Sequence, residues 1–346
     1  MIEFKTDTHL LQTTVIASTD LNRVHHANFL DNNLPDKCAN LIIADSPYFE
    51  VKGAFDFVWK DFKEYLQDVN KWAKECARLL ADNGTLFWYG DAKNIAYSQV
   101  ILDEHLNLVN NLVWEKAEVD GLFGSTGSEQ LRSFPKSTER ILMYSKETEM
   151  TDLEAIKLDM NNFIELREYF KLLQAFIGLS LKKINERLGH RKAEHCFYHS
   201  STQWDLPTDE TYKQLIDAFG IDKWEGYKEI LDLRLDYNYL RQQYEIKRRH
   251  FNNFMKSTEV LKVRFTPSEF DHETVKPEKL ARLLIKTCSR PNDLVVVPFA
   301  GSGTECAMAV KENRNFVAYE ITEKHVNMSN KRVKKILDNP HLFAGL

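Results

Sequence analysis

Asp45-Ser46-Pro47-Tyr48 stands directly after the apolar run Leu41-Ile42-Ile43-Ala44. A continuous apolar run of that length reads as a strand buried on both faces. The tetrapeptide therefore lies at the carboxyl edge of a sheet, where open α/β folds bind their ligands. Its residue types suit one kind of chemistry. An amino group on an aromatic ring is a poor nucleophile because its lone pair is delocalised into the ring. A carboxylate and a backbone carbonyl, each accepting one N–H, favour the tetrahedral nitrogen that can attack. Asp45 supplies the carboxylate and Ser46 the carbonyl, Pro47 stiffens the turn, and Tyr48 offers a face on which a base could stack. Phe49 and residues 50–57 are placed to close over such a ring. The alternative is a plain turn, in which Asp and Pro are common.

A second set of residues lies near the other end of the chain. Residues 293–297 read as a strand, followed by Pro298-Phe299-Ala300-Gly301-Ser302-Gly303-Thr304, a helix over 304–312, a strand over 316–319 and then Glu320. This is the pattern of a βαβ nucleotide-binding unit. Gly301 and Gly303 tolerate positive φ and let a ligand approach the backbone. Glu320 is placed to accept hydrogen bonds from both hydroxyls of a ribose. A phosphate-binding loop would need Gly-Lys-Ser/Thr, which this segment lacks. A dinucleotide fingerprint would need a third glycine where Cys306 stands. A single Gly-x-Gly suits S-adenosylmethionine, which carries no phosphate. Taken alone, the segment is equally a tight turn of any α/β fold, and it is the pairing with Asp45–Tyr48 that favours a site.

The elements around these residues alternate. A helix is predicted over 62–80, with Phe62, Leu66, Val69, Ala73, Cys76 and Leu80 on one face, and strands over 85–89, 108–114 and 140–144. Helix and strand in alternation imply an open α/β sheet. The character then changes. Helices are predicted over 161–177, 181–188, 207–219 and 230–244, the last with a narrow seam of Ile230, Leu233, Tyr237, Leu240 and Tyr244. From Val260 the α/β character returns, with a helix over 277–288. Residues 1–150 and 263–346 are thus expected to form one α/β domain, interrupted by a helical insert over 151–262.

The composition fits that reading. The chain has 346 residues, 43% hydrophobic and 28% charged, with a net charge of −5. It has no apolar run of the roughly 20 residues that would span a bilayer, and Met1–Thr14 lacks the basic start and apolar stretch of a signal peptide. Five scattered cysteines form no CxxC pair, so they read as reduced thiols of a cytoplasmic protein, with neither disulfide nor metal expected. Local charge matters more than the sum. Basic residues gather in the insert at Lys182, Lys183, Arg187, Arg191 and Lys192, and again at Lys247, Arg248 and Arg249. Residues 179–198 form a helix-turn-helix candidate in which Arg191, Lys192, His195 and Tyr198 would face bases or phosphates. A helical bundle with solvated basic residues is the alternative. Trp204 and Trp224 read as core aromatics.

These motifs resemble those of the β-group amino-methyltransferases of DNA, in which the catalytic motif precedes the cofactor motif. The family's Asp-Pro-Pro-Tyr is matched by Asp45-Ser46-Pro47-Tyr48, and its Asp-Pro-Phe-x-Gly-Ser-Gly-Thr by residues 297–304. Its His-x-Thr-x-Lys-Pro is matched by His272-Glu273-Thr274-Val275-Lys276-Pro277. Leu34-Pro35-Asp36 and Trp114-Glu115-Lys116 fit as well. The resemblance implies a Rossmann-like, circularly permuted methyltransferase fold with its target-recognition domain in the insert. It also implies S-adenosylmethionine as cofactor, held by Asp45, Lys276, Pro298, Phe299, Gly301–Thr304 and Glu320, and DNA as substrate, with the target base flipped out of the duplex. A restriction endonuclease partner and a homodimer are further expectations of this kind. Asp as the first residue of the tetrapeptide points to adenine N6, since cytosine-N4 members usually open with Ser. The chain departs from the pattern at Ser46, where the family has Pro, and at Val297, where it has an aspartate near the cofactor's amino-acid end. Those departures leave a DNA-binding protein with a decayed site in view, and the chemical likeness of the two amino groups leaves cytosine-N4 methylation.

Overall fold

The structure, a computed structural model, describes residues 16–17, 20–50, 58–116, 132, 134, 136–147, 163–264 and 275–338. Its elements in chain order are β1 (Arg23–His26), β2 (Ala39–Ala44), α1 (Phe62–Leu79), β3 (Leu80–Gly90), α2 (Ile95–Asp103), β4 (Asn107–Glu115) and β5 (Thr138–Ser145). There follow α3 (Ile164–Ile177), α4 (Leu181–Leu188), α5 (Asp209–Phe219) and α6 (Ile230–Lys247). The chain then returns through β6 (Val260–Lys262), α7 (Glu278–Cys288), β7 (Leu294–Val297), α8 (Thr304–Lys311), β8 (Asn315–Glu320) and α9 (Glu323–Leu337). Two units separate, one of residues 1–149 and 249–346 and one of residues 150–248.

In the first unit eight strands form one mixed sheet in the order β1-β8-β7-β2-β3-β5-β4-β6. Neighbours from β1 through to β3 run parallel, and β5 is antiparallel to both β3 and β4. The central strands are buried on both faces, which is why they read as unbroken apolar runs. Leu41 and Ile43 pack into the layer with α7 and α8, while Ile42 and Ala44 pack against α1. The side chain of Asp61 caps α1 by accepting from the Glu64 N–H at 2.9 Å. The helix then buries Tyr65, Val69, Trp72, Ala73, Cys76 and Leu79. It ends one residue before the predicted boundary, because Leu80 already pairs with Ala39 as the start of β3.

Residues 249–262, expected with the insert, belong to the sheet unit. The Asn252 N–H donates to the Thr287 carbonyl at 2.8 Å, and β6 runs parallel to β4. Helical periodicity has run out by Arg248, and an extended segment can satisfy its backbone groups on a sheet edge.

The helical unit has its own core, with Phe170, Leu173, Ile184, Leu215, Ile221 and Leu233 fully buried. Gly178, Gly189 and Gly220 end α3, α4 and α5 with positive φ, as C-terminal glycines do. Trp204 is buried and Trp224 packs against the same cluster, so both tryptophans are core residues. The expected second helix of the helix-turn-helix is absent. Glu194–Phe197 makes a single 3-10 turn instead, with Cys196 and Phe197 pointing into the core.

Candidate active site

β2 and β7 come from opposite ends of the chain yet lie side by side, Leu41 opposite Val295 and Ile42 opposite Val296. From there the connections diverge, β2 leading to β3 on one side and β7 to β8 on the other. That is a topological switch point, where the loops splay apart and leave a crevice. Asp45–Tyr48 follows β2 and Pro298–Gly303 follows β7, so the two turns flank the crevice. Asp91 after β3, Lys116 after β4, Glu320 at the end of β8 and Glu139 at the start of β5 lie on the same edge. Together they line a cavity of about 830 Å³, within the usual range of small-molecule sites.

One end of the cavity is a cluster of charges. The Asp45 carboxylate accepts from the Tyr48 hydroxyl at 2.9 Å and from the Lys276 ammonium at 2.7 Å. Lys276 is buried and also lies 3.7 Å from Glu139. Its ammonium sits over the rings of Tyr48 and Tyr89, at 5.7 and 5.1 Å from their centroids. Burial alone would lower the Lys276 ammonium. The charges of Asp45 and Glu139 outweigh burial and hold it above the ordinary lysine range. The same balance lowers Glu139, where burial is overcome by Lys276 and by Lys116 at 2.8 Å. Burial, reinforced by the Asp45 charge, keeps the Tyr48 phenol protonated well above its usual range. Ser46 is buried against the cavity, and Lys136 pairs with Asp91 at 2.9 Å.

The other end is aromatic. Phe299 meets Trp72 edge-on at 5.0 Å and Phe29 at 6.1 Å, and Phe29 meets Tyr319 at 5.8 Å. The Glu320 carboxylate accepts from the Gly301 N–H at 2.9 Å and from the Thr322 N–H at 2.8 Å. This fixes its oxygens at the mouth of the glycine turn with acceptor capacity remaining. Gly303 has φ +72°, and a Cβ there would sit 2.7 Å from the Ser329 side chain of α9. The turn is held from below. Ser329 donates to the Gly301 carbonyl at 2.9 Å, and the buried Arg332 guanidinium donates to the Ser302 carbonyl at 3.2 Å and the Thr304 hydroxyl at 3.0 Å.

All the expected catalytic residues, together with Lys276, Pro298, Phe299, Gly301, Ser302 and Glu320, line this one cavity. Gly303 and Thr304 shape the turn behind it. Residues 51–57, expected as a cover, and His272–Thr274 lie outside the described residues. Val297 is buried in the core. Asp293 sits at the opposite end of β7, where its carboxylate accepts from the Arg290 N–H at 2.6 Å, so it does not supply the missing acid. Sequence reasoning missed Glu139, Asp91, Lys136 and Glu305. The first three reach the same cavity as Asp45 only through the sheet order. Glu305 had a local signal, an acid heading a helix that otherwise begins Cys306-Ala307-Met308-Ala309.

The expected DNA contacts fall into different settings. Lys182 and Lys183 are exposed on α4 away from the buried Ile184, and Arg187, exposed one turn after Ile184, holds its guanidinium 5.2 Å from the Phe219 ring centroid. Arg191 pairs with Glu194 at 2.9 Å, Lys192 is exposed, and His195 meets the Gln203 carbonyl at 3.0 Å. Arg248 lies over Tyr244, and the Lys247 side chain is outside those described. Arg249 is not part of a basic face. It belongs to the sheet unit and donates to Glu147 at 3.0 Å.

An α/β fold with a glycine turn, a carboxylate at the end of the next strand and an Asp-Ser-Pro-Tyr turn on one crevice defines a class of small-molecule-binding α/β enzymes. The family model for DNA methylases of the N6/N4 type matches residues 39–331, and the chain belongs to that family. The chain is 24% identical over 326 residues to the type II methyltransferase M.HinfI of Haemophilus influenzae, covering 89% of this chain and 66% of that protein. It is 22% identical over 305 residues to the DNA adenine methyltransferase YhdJ of Escherichia coli K12, covering 87% of this chain and 78% of that one. Among solved structures, the cytosine-N4-specific PvuII DNA methyltransferase aligns with a TM-score of 0.49 at 13% identity, over 93% of each chain.

Proposed function

We propose that this DNA methyltransferase transfers a methyl group from S-adenosylmethionine to the N6 amino group of a flipped-out adenine. The observation that carries the reading is Asp45 at the switch point, its carboxylate in the cavity and held by Lys276 and Tyr48. The cofactor supplies an electrophilic methyl group. The residues present fit it: Phe29, Trp72, Phe299 and Tyr319 wall an apolar slot for an adenine ring, and Glu320 offers carboxylate oxygens to a ribose. The order of the two turns along the chain is that of the permuted arrangement.

The chain's own groups do the remaining work. The target amine places one N–H on Asp45 and the other on the Ser46 carbonyl, which directs the nitrogen lone pair out of the ring plane. Lys276 and Tyr48 hold the Asp45 carboxylate in place, and Tyr48 and Trp114 bound the space for the base. Asp as the opening residue of the turn favours adenine.

Incubation with radiolabelled S-adenosylmethionine and duplex DNA should give incorporation, and Asp45→Ala should lower it by about 10²–10⁴-fold. Nucleoside mass spectrometry should find N6-methyladenine. N4-methylcytosine would overturn the choice of base, and equal incorporation by Asp45→Ala would overturn the site.

A further inference from the structure

The acid that the family places at the end of β7 is missing, because Val297 stands there and is buried in the core. The cavity nevertheless holds a carboxylate that none of the expected roles uses. Glu305, in the first turn of α8, is 5% exposed and lines the cavity beside Asp45, Lys276 and Ser302. Its Oε1 is fully buried and makes no hydrogen bond among the described residues. Burial and the nearby Asp45 charge push its carboxyl up to about 7, against the opposing pull of its own N–H, Lys276 and Arg332. Burial, with the Glu305 charge behind it, keeps the Tyr89 phenol of β3 neutral. A carboxylate left in this state inside a ligand cavity is costly unless a bound cation completes it.

We propose that Glu305 accepts the α-ammonium of the cofactor's methionine end and so replaces the acid absent at position 297. This rests on the reading of the cavity as an S-adenosylmethionine site. Glu305 reaches the cavity from the first turn of α8, directly after the glycine turn, and its unpaired oxygen calls for a donor that carries positive charge. The methionine end offers one, whereas the adenosine portion does not. A bound ammonium favours the ionised carboxylate, so binding near pH 7 releases a proton.

Calorimetry with two probes tests this, S-adenosylhomocysteine, which carries the ammonium, and 5′-methylthioadenosine, which lacks the amino-acid end. Glu305→Gln should bind S-adenosylhomocysteine about tenfold more weakly and 5′-methylthioadenosine as the wild type does. In buffers of different ionisation enthalpy, the wild type should release protons on binding S-adenosylhomocysteine and the variant should not. Equal weakening of both probes, or unchanged affinity and proton release, overturns the proposal. If Glu305→Gln does not fold, proton release by the wild type with one probe and not the other decides the matter. Wild-type protein that binds neither S-adenosylmethionine nor S-adenosylhomocysteine overturns the cofactor reading itself, which separates the two failures.

Discussion

At the scale of single residues, the cavity sets two buried carboxyls against each other in their response to pH. Glu139 sits between two ammonium groups and is held low. Its contribution to stability is present above the ordinary carboxylate range and is lost as pH falls through its folded value. Glu305 has the opposite sign. Its carboxyl is raised from 4.5 to about 7, so the folded protein holds the proton longer than the unfolded chain does. That stability is fully present below about 4.5 and is lost as pH rises through about 7. The ligand-free protein should therefore be less stable at pH 8 than at pH 5, by an amount of order 3 kcal/mol from this group. Glu305→Gln should remove most of that difference, as read from urea unfolding at the two pH values. An unchanged difference would mean that another group carries the pH dependence.

At the scale of elements, what could be read in the sequence was set by burial on both faces. β2, β3, β5, β7 and β8 announce themselves because Leu41–Ala44, Leu86–Tyr89, Ile141–Tyr144, Leu294–Val297 and Phe316–Tyr319 have few or no polar positions. β1 buries only Val24 among Arg23, His25 and His26, and β6 has three residues, so neither carries a signal. α9 carries its charges at both ends and buries only Val326, Ser329, Arg332, Val333 and Ile336. Its role appears only when Ser329 and Arg332 are found beneath the glycine turn. That contact makes a prediction about glycines of the same backbone type. Gly303→Ala combines a left-handed backbone with a Cβ 2.7 Å from Ser329, and should cost about 2–4 kcal/mol. Gly178→Ala has the same sign of φ with open space around the Cβ, and should cost about 1–2 kcal/mol. Urea unfolding of the two variants compares them, and equal losses would show that Ser329 yields freely.

At the scale of the whole molecule, a net charge of −5 repels DNA in sum, so attraction has to come from local faces. The basic residues of the chain are not equal candidates for that work. Arg249 is half-buried and spends its charge on Glu147, and Arg191 is paired with Glu194. Lys182 and Lys183 stand exposed on α4, on the side away from Ile184. If that face meets phosphates, each lysine contributes close to one unit to the dependence of log affinity on log salt. A Lys182→Ala/Lys183→Ala double variant should then lower the slope by about 2, measured by fluorescence anisotropy on a duplex across a salt series. Arg249→Ala should leave the slope where it is, because its charge is already neutralised within the sheet unit. A double variant with the wild-type slope would remove α4 from the DNA-binding surface.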